Sequence, residues 1–153
     1  EKMKKGIISL LVLASLGLGM TSGTKSFGGG GTITQSLAEG ADMTVMVNAN
    51  MGYFAADNIE ALFGLGLNGT TDTMFDAMDF HVGGNYYMGN MYAGATYKGS
   101  TLEGSDGGLD ITGGYLMGCG EGIYLNLFGT YQHSLAEGAD GTLVFGFGVK
   151  TFF

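Results

Sequence analysis

The chain has 153 residues, room for one domain. Glycine fills 31 positions while proline, tryptophan and arginine are absent, yet a hydrophobic fraction of 45% argues against disorder. Fourteen acids against six lysines argue against nucleic acid as a partner, and the lone Cys119 excludes an internal disulfide or a CxxC metal or redox site.

Met3-Lys4-Lys5, an apolar run over 7–18 and the small polar residues Thr21-Ser22-Gly23 read as a secretory signal peptide. The run is shorter than the roughly twenty residues a transmembrane helix needs. No cysteine follows it to carry a lipid anchor. No Ala-x-Ala triplet marks the cut, which is placed between Gly19 and Lys25. Residues 1–23 are therefore assigned to the signal, with Glu1-Lys2 ahead of Met3 as a remnant, and 24–153 to a single domain.

Eight stretches after the signal alternate large apolar residues with small or polar ones at period two, the signature of strands. Residues 23–36 are glycine-rich, with Phe27 and Ile33 as large side chains. In 43–54, Met43, Val45, Val47, Ala49, Met51 and Tyr53 oppose Thr44, Met46, Asn48, Asn50 and Gly52. In 59–68, Ile59, Ala61, Phe63, Leu65 and Leu67 oppose Glu60, Leu62, Gly64, Gly66 and Asn68. In 78–88, Met78, Phe80, Val82, Gly84 and Tyr86 oppose Asp79, His81, Gly83, Asn85 and Tyr87. Residues 91–100, 109–117 and 123–134 continue the pattern. The last run, 142–153, carries Leu143, Phe145, Phe147, Val149 and Phe153 on one face and Val144, Gly146, Gly148, Lys150 and Phe152 on the other.

The connections sort by parity. Those over 55–58, 89–90 and 118–122 are short; those over 37–42, 69–77, 101–108 and 135–141 are longer and polar. An even strand count with short turns at one end and long loops at the other is the pattern of bacterial membrane barrels. The polar face supports it. Glycines 52, 64, 66, 83, 94, 114, 146 and 148 interleave there with Asn48, Asn50, Asn85, Asn126 and Gln132. A water-facing sheet has little use for so much glycine, whereas a cramped lumen needs small residues to make room. On the apolar face, Tyr53, Tyr86, Tyr115 and Phe153 gather at the short-turn end and Tyr97 and Tyr131 at the loop end, as two interfacial girdles would. The expected fold is an all-β, eight-stranded antiparallel up-and-down transmembrane β-barrel.

Asn50-Met51-Gly52-Tyr53-Phe54-Ala55-Ala56-Asp57-Asn58-Ile59, followed by Leu65-Gly66-Leu67, resembles a recurring stretch of the small outer-membrane β-barrel family that includes OmpX, OmpW and the OmpA membrane domain. There a strand ending in GYF is joined by a turn ending in DN to an alternating strand. The strand count and the terminal Phe153 extend the resemblance over 24–153. It implies a bacterial outer-membrane location, a monomer surrounded by outer-membrane lipids including lipopolysaccharide, and Phe153 as the signal read by the barrel assembly machinery. It carries no catalytic residue, metal or cofactor with it.

Chemical candidates are few. Gly64-Leu65-Gly66-Leu67-Asn68-Gly69 matches GxGxxG, but it lies inside a strand with no helix after it, so it cannot cradle a phosphate. His133, Ser134 and Asp140 supply the residue types of a rim hydrolase without an element that positions a nucleophile. Glu60, Asp79, His81, Lys98, Asp110 and Lys150 share the inward face and form the expected lumen polar network, His81 grouping with Asp79, Asn85 and Lys98. Three acids then face two lysines, leaving one acid to lean on His81 or water. The loops hold Glu39, Asp42, Asp72, Asp76, Glu103, Asp106, Glu137 and Asp140 without the spacing of a calcium loop. The segment Ser-Leu-Ala-Glu-Gly-Ala-Asp occurs twice, at 36–42 and 134–140.

Eight strands enclose an interior that side chains can fill, which excludes a wide porin. The leading expectation is therefore a non-enzymatic barrel with a largely plugged lumen, structural or engaged in adhesion or protection through its acidic loops. The alternative is a narrow conduit for small hydrophobic molecules, and a third reading is an outer-membrane lipid enzyme.

Overall fold

Period-two alternation is realised as eight strands: β1 (Lys25–Gln35), β2 (Met43–Ala56), β3 (Ile59–Thr70), β4 (Ala77–Met88), β5 (Met91–Ser100), β6 (Gly108–Gly120), β7 (Ile123–Ser134) and β8 (Thr142–Phe152). The structure, a computed structural model, describes residues 20–35, 43–70, 77–101, 106–138 and 140–153. Each strand pairs antiparallel with the next, and β1 pairs with β8, so the sheet closes on itself. Closure runs from Gly31 opposite Phe147 to Ser26 opposite Phe152. Beyond it, Lys25 and Phe153 exchange backbone hydrogen bonds of 2.8 and 3.0 Å. A closed barrel leaves no row of unpaired backbone groups at a sheet edge.

The short connections are tighter than the alternation predicts. Strand β2 continues to Ala56 and β6 to Gly120, so the expected turns over 55–58 and 118–122 shrink to Asp57-Asn58 and Glu121-Gly122. In both, the register skips one residue, Ala55 or Cys119, as a β-bulge. The second turn residue then takes the left-handed conformation, Asn58 at φ 63° and Gly122 at φ 68°. Of the three short turns, only Gly89-Asn90 matches its expected bounds. Residues 1–19 of the signal assigned to 1–23, the first Ser-Leu-Ala-Glu-Gly-Ala-Asp copy, and the loop acids Glu39, Asp42, Asp72, Asp76 and Glu103 lie outside the described residues.

Burial is inverted relative to a water-soluble sheet. Ser26, Thr32, Glu60, Asp79, Asn85, Thr130 and Lys150 are buried, while Val47, Phe63, Leu65, Leu127, Phe145 and Phe147 stand exposed on the outer wall. The two parities of each strand explain this directly, since one must face the lumen and the other the surroundings. Tyr53, Tyr86 and Phe153 are exposed near the short-turn end, Tyr97 and Tyr131 near the other.

Candidate functional site in the lumen

The lumen divides into two layers. At the short-turn end, Glu60, the second residue of β3, points inward and is 0% exposed. A carboxylate taken wholly out of water costs several kcal/mol unless other groups replace its hydration. Here four groups do. Oε2 accepts hydrogen bonds from Asn85 Nδ2 at 2.7 Å, Tyr87 Oη at 2.8 Å and Lys150 Nζ at 2.8 Å, and Oε1 accepts one from Ser26 Oγ. Lys150 Nζ also donates to Tyr87 Oη at 2.6 Å. Donors from β1, β4 and β8 thus converge on one acid of β3.

Register makes the convergence possible. Ser26 sits opposite Gly52 across β1 and β2, and Gly28 sits opposite Lys150 across β1 and β8. A Cβ at Gly52 would collide with the Glu60 carboxylate and the Ser26 hydroxyl. Glycine at this position is what lets the carboxylate lie flat against β2.

An aromatic layer packs beside the ion pair. The Phe54 and Tyr87 rings are 5.3 Å apart, Tyr87 and Tyr92 5.4 Å, and Tyr124 and Phe152 5.4 Å. Lys150 Nζ lies 5.4 Å from the Tyr87 ring centroid and 5.6 Å from that of Phe152, within cation–π range. Leu116 and Met20 complete the cluster. The cluster draws side chains from β2, β4, β5, β6, β7 and β8.

A cavity of ≈ 140 Å³ runs from Asn85, Tyr92 and Lys150 of the first layer to Asp79, His81, Lys98, Asp110 and Gln132. Asp79 is buried and accepts a hydrogen bond from Asn68 Nδ2. His81 faces Lys98 across β4 and β5, and its ring lies against Gly64, where a Cβ would collide with it. Asp110 faces Thr96 and Gln132 on the neighbouring strands. Its Oδ1 is buried without a hydrogen-bond partner among the described residues. Tyr92 Oη donates to Asn126 Oδ1 at 3.0 Å, and the hydroxyls of Thr112 and Thr130 are 2.9 Å apart.

The six expected lumen residues therefore fall into two groups. Glu60 and Lys150 form an ion pair at one end, while Asp79, His81, Lys98 and Asp110 line the cavity, which Lys150 also borders. Asn85 joins Glu60 and not His81. Reading the sequence missed Ser26, the Tyr87 hydroxyl and Met20. The signal for Tyr87 was present, because Phe54, Tyr87, Tyr92 and Phe152 all carry inward parity at the short-turn ends of their strands. Ser26 and Met20 had none, since neither lies in a strong alternation.

At the rim, His133 is exposed opposite Leu109 of β6, while Ser134, of the opposite parity, accepts a hydrogen bond from Ala136 N–H at 3.2 Å. Asp140 is exposed. Among the described residues no three His, Cys, Asp or Glu side chains gather into a metal-binding set.

No family model and no curated protein matches the chain. Its fold is similar to a solved structure from the de novo design of transmembrane β-barrels, with a TM-score of 0.61 and 16% identity, over 89% of this chain and 100% of that one. At that identity the likeness is one of fold, an eight-stranded transmembrane-type barrel. The likeness of residues 50–59 to the small outer-membrane barrels rests on those residues alone.

Proposed function

We propose that this chain is a bacterial outer-membrane β-barrel that anchors its loops at the cell surface, in a structural, adhesive or protective role, while its lumen stays shut. The observation that carries this reading is the packing at the short-turn mouth, where the buried Glu60–Lys150 pair lies beside the aromatic cluster. The apolar outer wall supports the membrane setting, because soluble monomers rarely expose contiguous apolar surface beyond a few hundred Å². The strand lengths of 10 to 14 residues suit it too. At about 3.3 Å per residue and a tilt near 45°, such strands span roughly the apolar band of about 25 Å in outer-membrane barrels.

In this reading the wall contacts outer-membrane lipids including lipopolysaccharide, the barrel assembly machinery inserts it, and the barrel works as a monomer. The exposed Asp106, Glu137 and Asp140 belong to the acidic loop face that meets the outside. The cavity of ≈ 140 Å³ favours a second reading, a narrow conduit for small molecules. Single-channel recording on purified protein in planar bilayers separates the two. Silence at all voltages supports the sealed lumen; discrete, voltage-stable openings would overturn it and favour the conduit.

A further inference from the structure

Residues 20–24 are fastened to the β2–β3 hairpin before β1 begins. Met20 is buried among Phe54, Tyr87, Tyr92 and Leu116. Its carbonyl accepts the Asn58 N–H at 2.8 Å, and the Ser22 N–H donates to Asp57 Oδ1 at 2.9 Å. The Gly23 N–H donates to Phe54 O, and the Thr24 carbonyl accepts the Phe54 N–H, both at 2.9 Å. This short segment lies across the mouth that the aromatic layer closes.

Immediately before it, the apolar run ends in Gly17-Leu18-Gly19. Small residues one and three positions before the cut are what a signal peptidase accepts. From these two observations together we infer that processing removes residues 1–19 and leaves Met20 as the first residue of the mature chain, retained as the stopper of the short-turn mouth. The Gly19–Met20 peptide bond is hydrolysed by a signal peptidase, water supplying the hydroxyl of the released Gly19 carboxyl and a proton to the new Met20 amine. A cut after Gly23 would instead strip the stopper, re-expose Phe54 and Tyr87, and leave the Asn58 N–H and the Phe54 carbonyl without the partners they have now.

The stopper role rests on the sealed-lumen reading, whereas the position of the cut does not. The test is to express the full chain in a Gram-negative host, recover it from the envelope, and read its intact mass and N-terminal sequence. A start at Met-Thr-Ser-Gly is expected. A start at Thr24 or Lys25, or retention of residues 1–19, overturns the inference. The variant Met20→Ser then tests the stopper in the same preparation. It should be cut at the same bond and should lose its folded electrophoretic form several degrees below the unsubstituted protein. Equal melting would overturn the stopper. If the unsubstituted protein starts at Met20 yet conducts, the cut stands while the sealed lumen fails.

Discussion

Glu60 and Lys150 lie 90 residues apart in sequence and 2.8 Å apart in space, with side-chain exposures of 0% and 6%. They join β3 to β8 across the lumen and draw in donors from β1 and β4. Removing one partner of a buried pair leaves the other charge uncompensated, at a cost of about 3–5 kcal/mol, whereas replacing both can be nearly neutral. Glu60→Gln and Lys150→Met should each destabilise the barrel on that scale, and the double variant should recover most of the loss. Urea unfolding in vesicles, followed by circular dichroism because the chain has no tryptophan, measures the cycle. Additive single effects would mean that the pair contributes nothing as a pair.

Two glycines on the inward face should respond in opposite ways. A Cβ at Gly52 meets the Glu60 carboxylate, so Gly52→Ala must push the acid from its four donors and should cost about 1–3 kcal/mol. At Gly66 the nearest atom to a new Cβ is 3.7 Å away, an ordinary contact. Gly66→Ala should therefore lie within about 0.5 kcal/mol of zero or stabilise slightly, since alanine loses less backbone entropy on folding. The same unfolding experiment decides both; equal effects would mean that lumen packing is not what selects glycine at 52.

Depth along the outer wall should grade the cost of a charge. Phe147 is 66% exposed and sits midway along β8, while Tyr131 lies near the loop end of β7. Lysine on the lipid face of a barrel costs about 2–4 kcal/mol at the midplane and about 0–1 near the interface. Phe147→Lys should thus destabilise the vesicle-embedded barrel by several times more than Tyr131→Lys. If both are neutral, the wall does not face hydrocarbon.

Cys119 offers a topological probe. It is a free, exposed thiol on the β6 bulge, at the short-turn end of the barrel. With the short turns facing the periplasm, a membrane-impermeant maleimide added to intact cells should leave Cys119 unlabelled and label it only after the outer membrane is opened. In a Cys119→Ser background, Glu137→Cys at the opposite end should label from outside. The reverse pattern would invert the orientation.

The strands and their two faces were legible because a barrel wall separates two unlike surroundings, and every strand therefore carries the period-two contrast in its own residues. Met51 and Phe63 read as outward and Asn85 and Glu60 as inward on that ground alone, and the exposure of each agrees. The ends were less legible. Ala55-Ala56 and Gly118-Cys119-Gly120 show no contrast, and a bulge shifts parity within them, so they read as connections although β2 and β6 run through. The grouping of the lumen residues was not legible at all. It depends on register between strands, Ser26 beside Gly52 and Gly28 beside Lys150, and on closure of β8 onto β1. No stretch of sequence contains that information.

A closed barrel held in lipid underlies each of these predictions. The direct measurement is electrophoresis of vesicle- or detergent-refolded protein, loaded cold and boiled in SDS, beside circular dichroism with and without detergent. A barrel with every backbone group paired resists cold SDS. The predicted result is a mobility that shifts on boiling, with β-rich dichroism in detergent that is lost in plain buffer. A single unchanged band, from protein that is a folded monomer or fibrils in buffer, would contradict the account and assign the apolar outer face to contacts between protein chains.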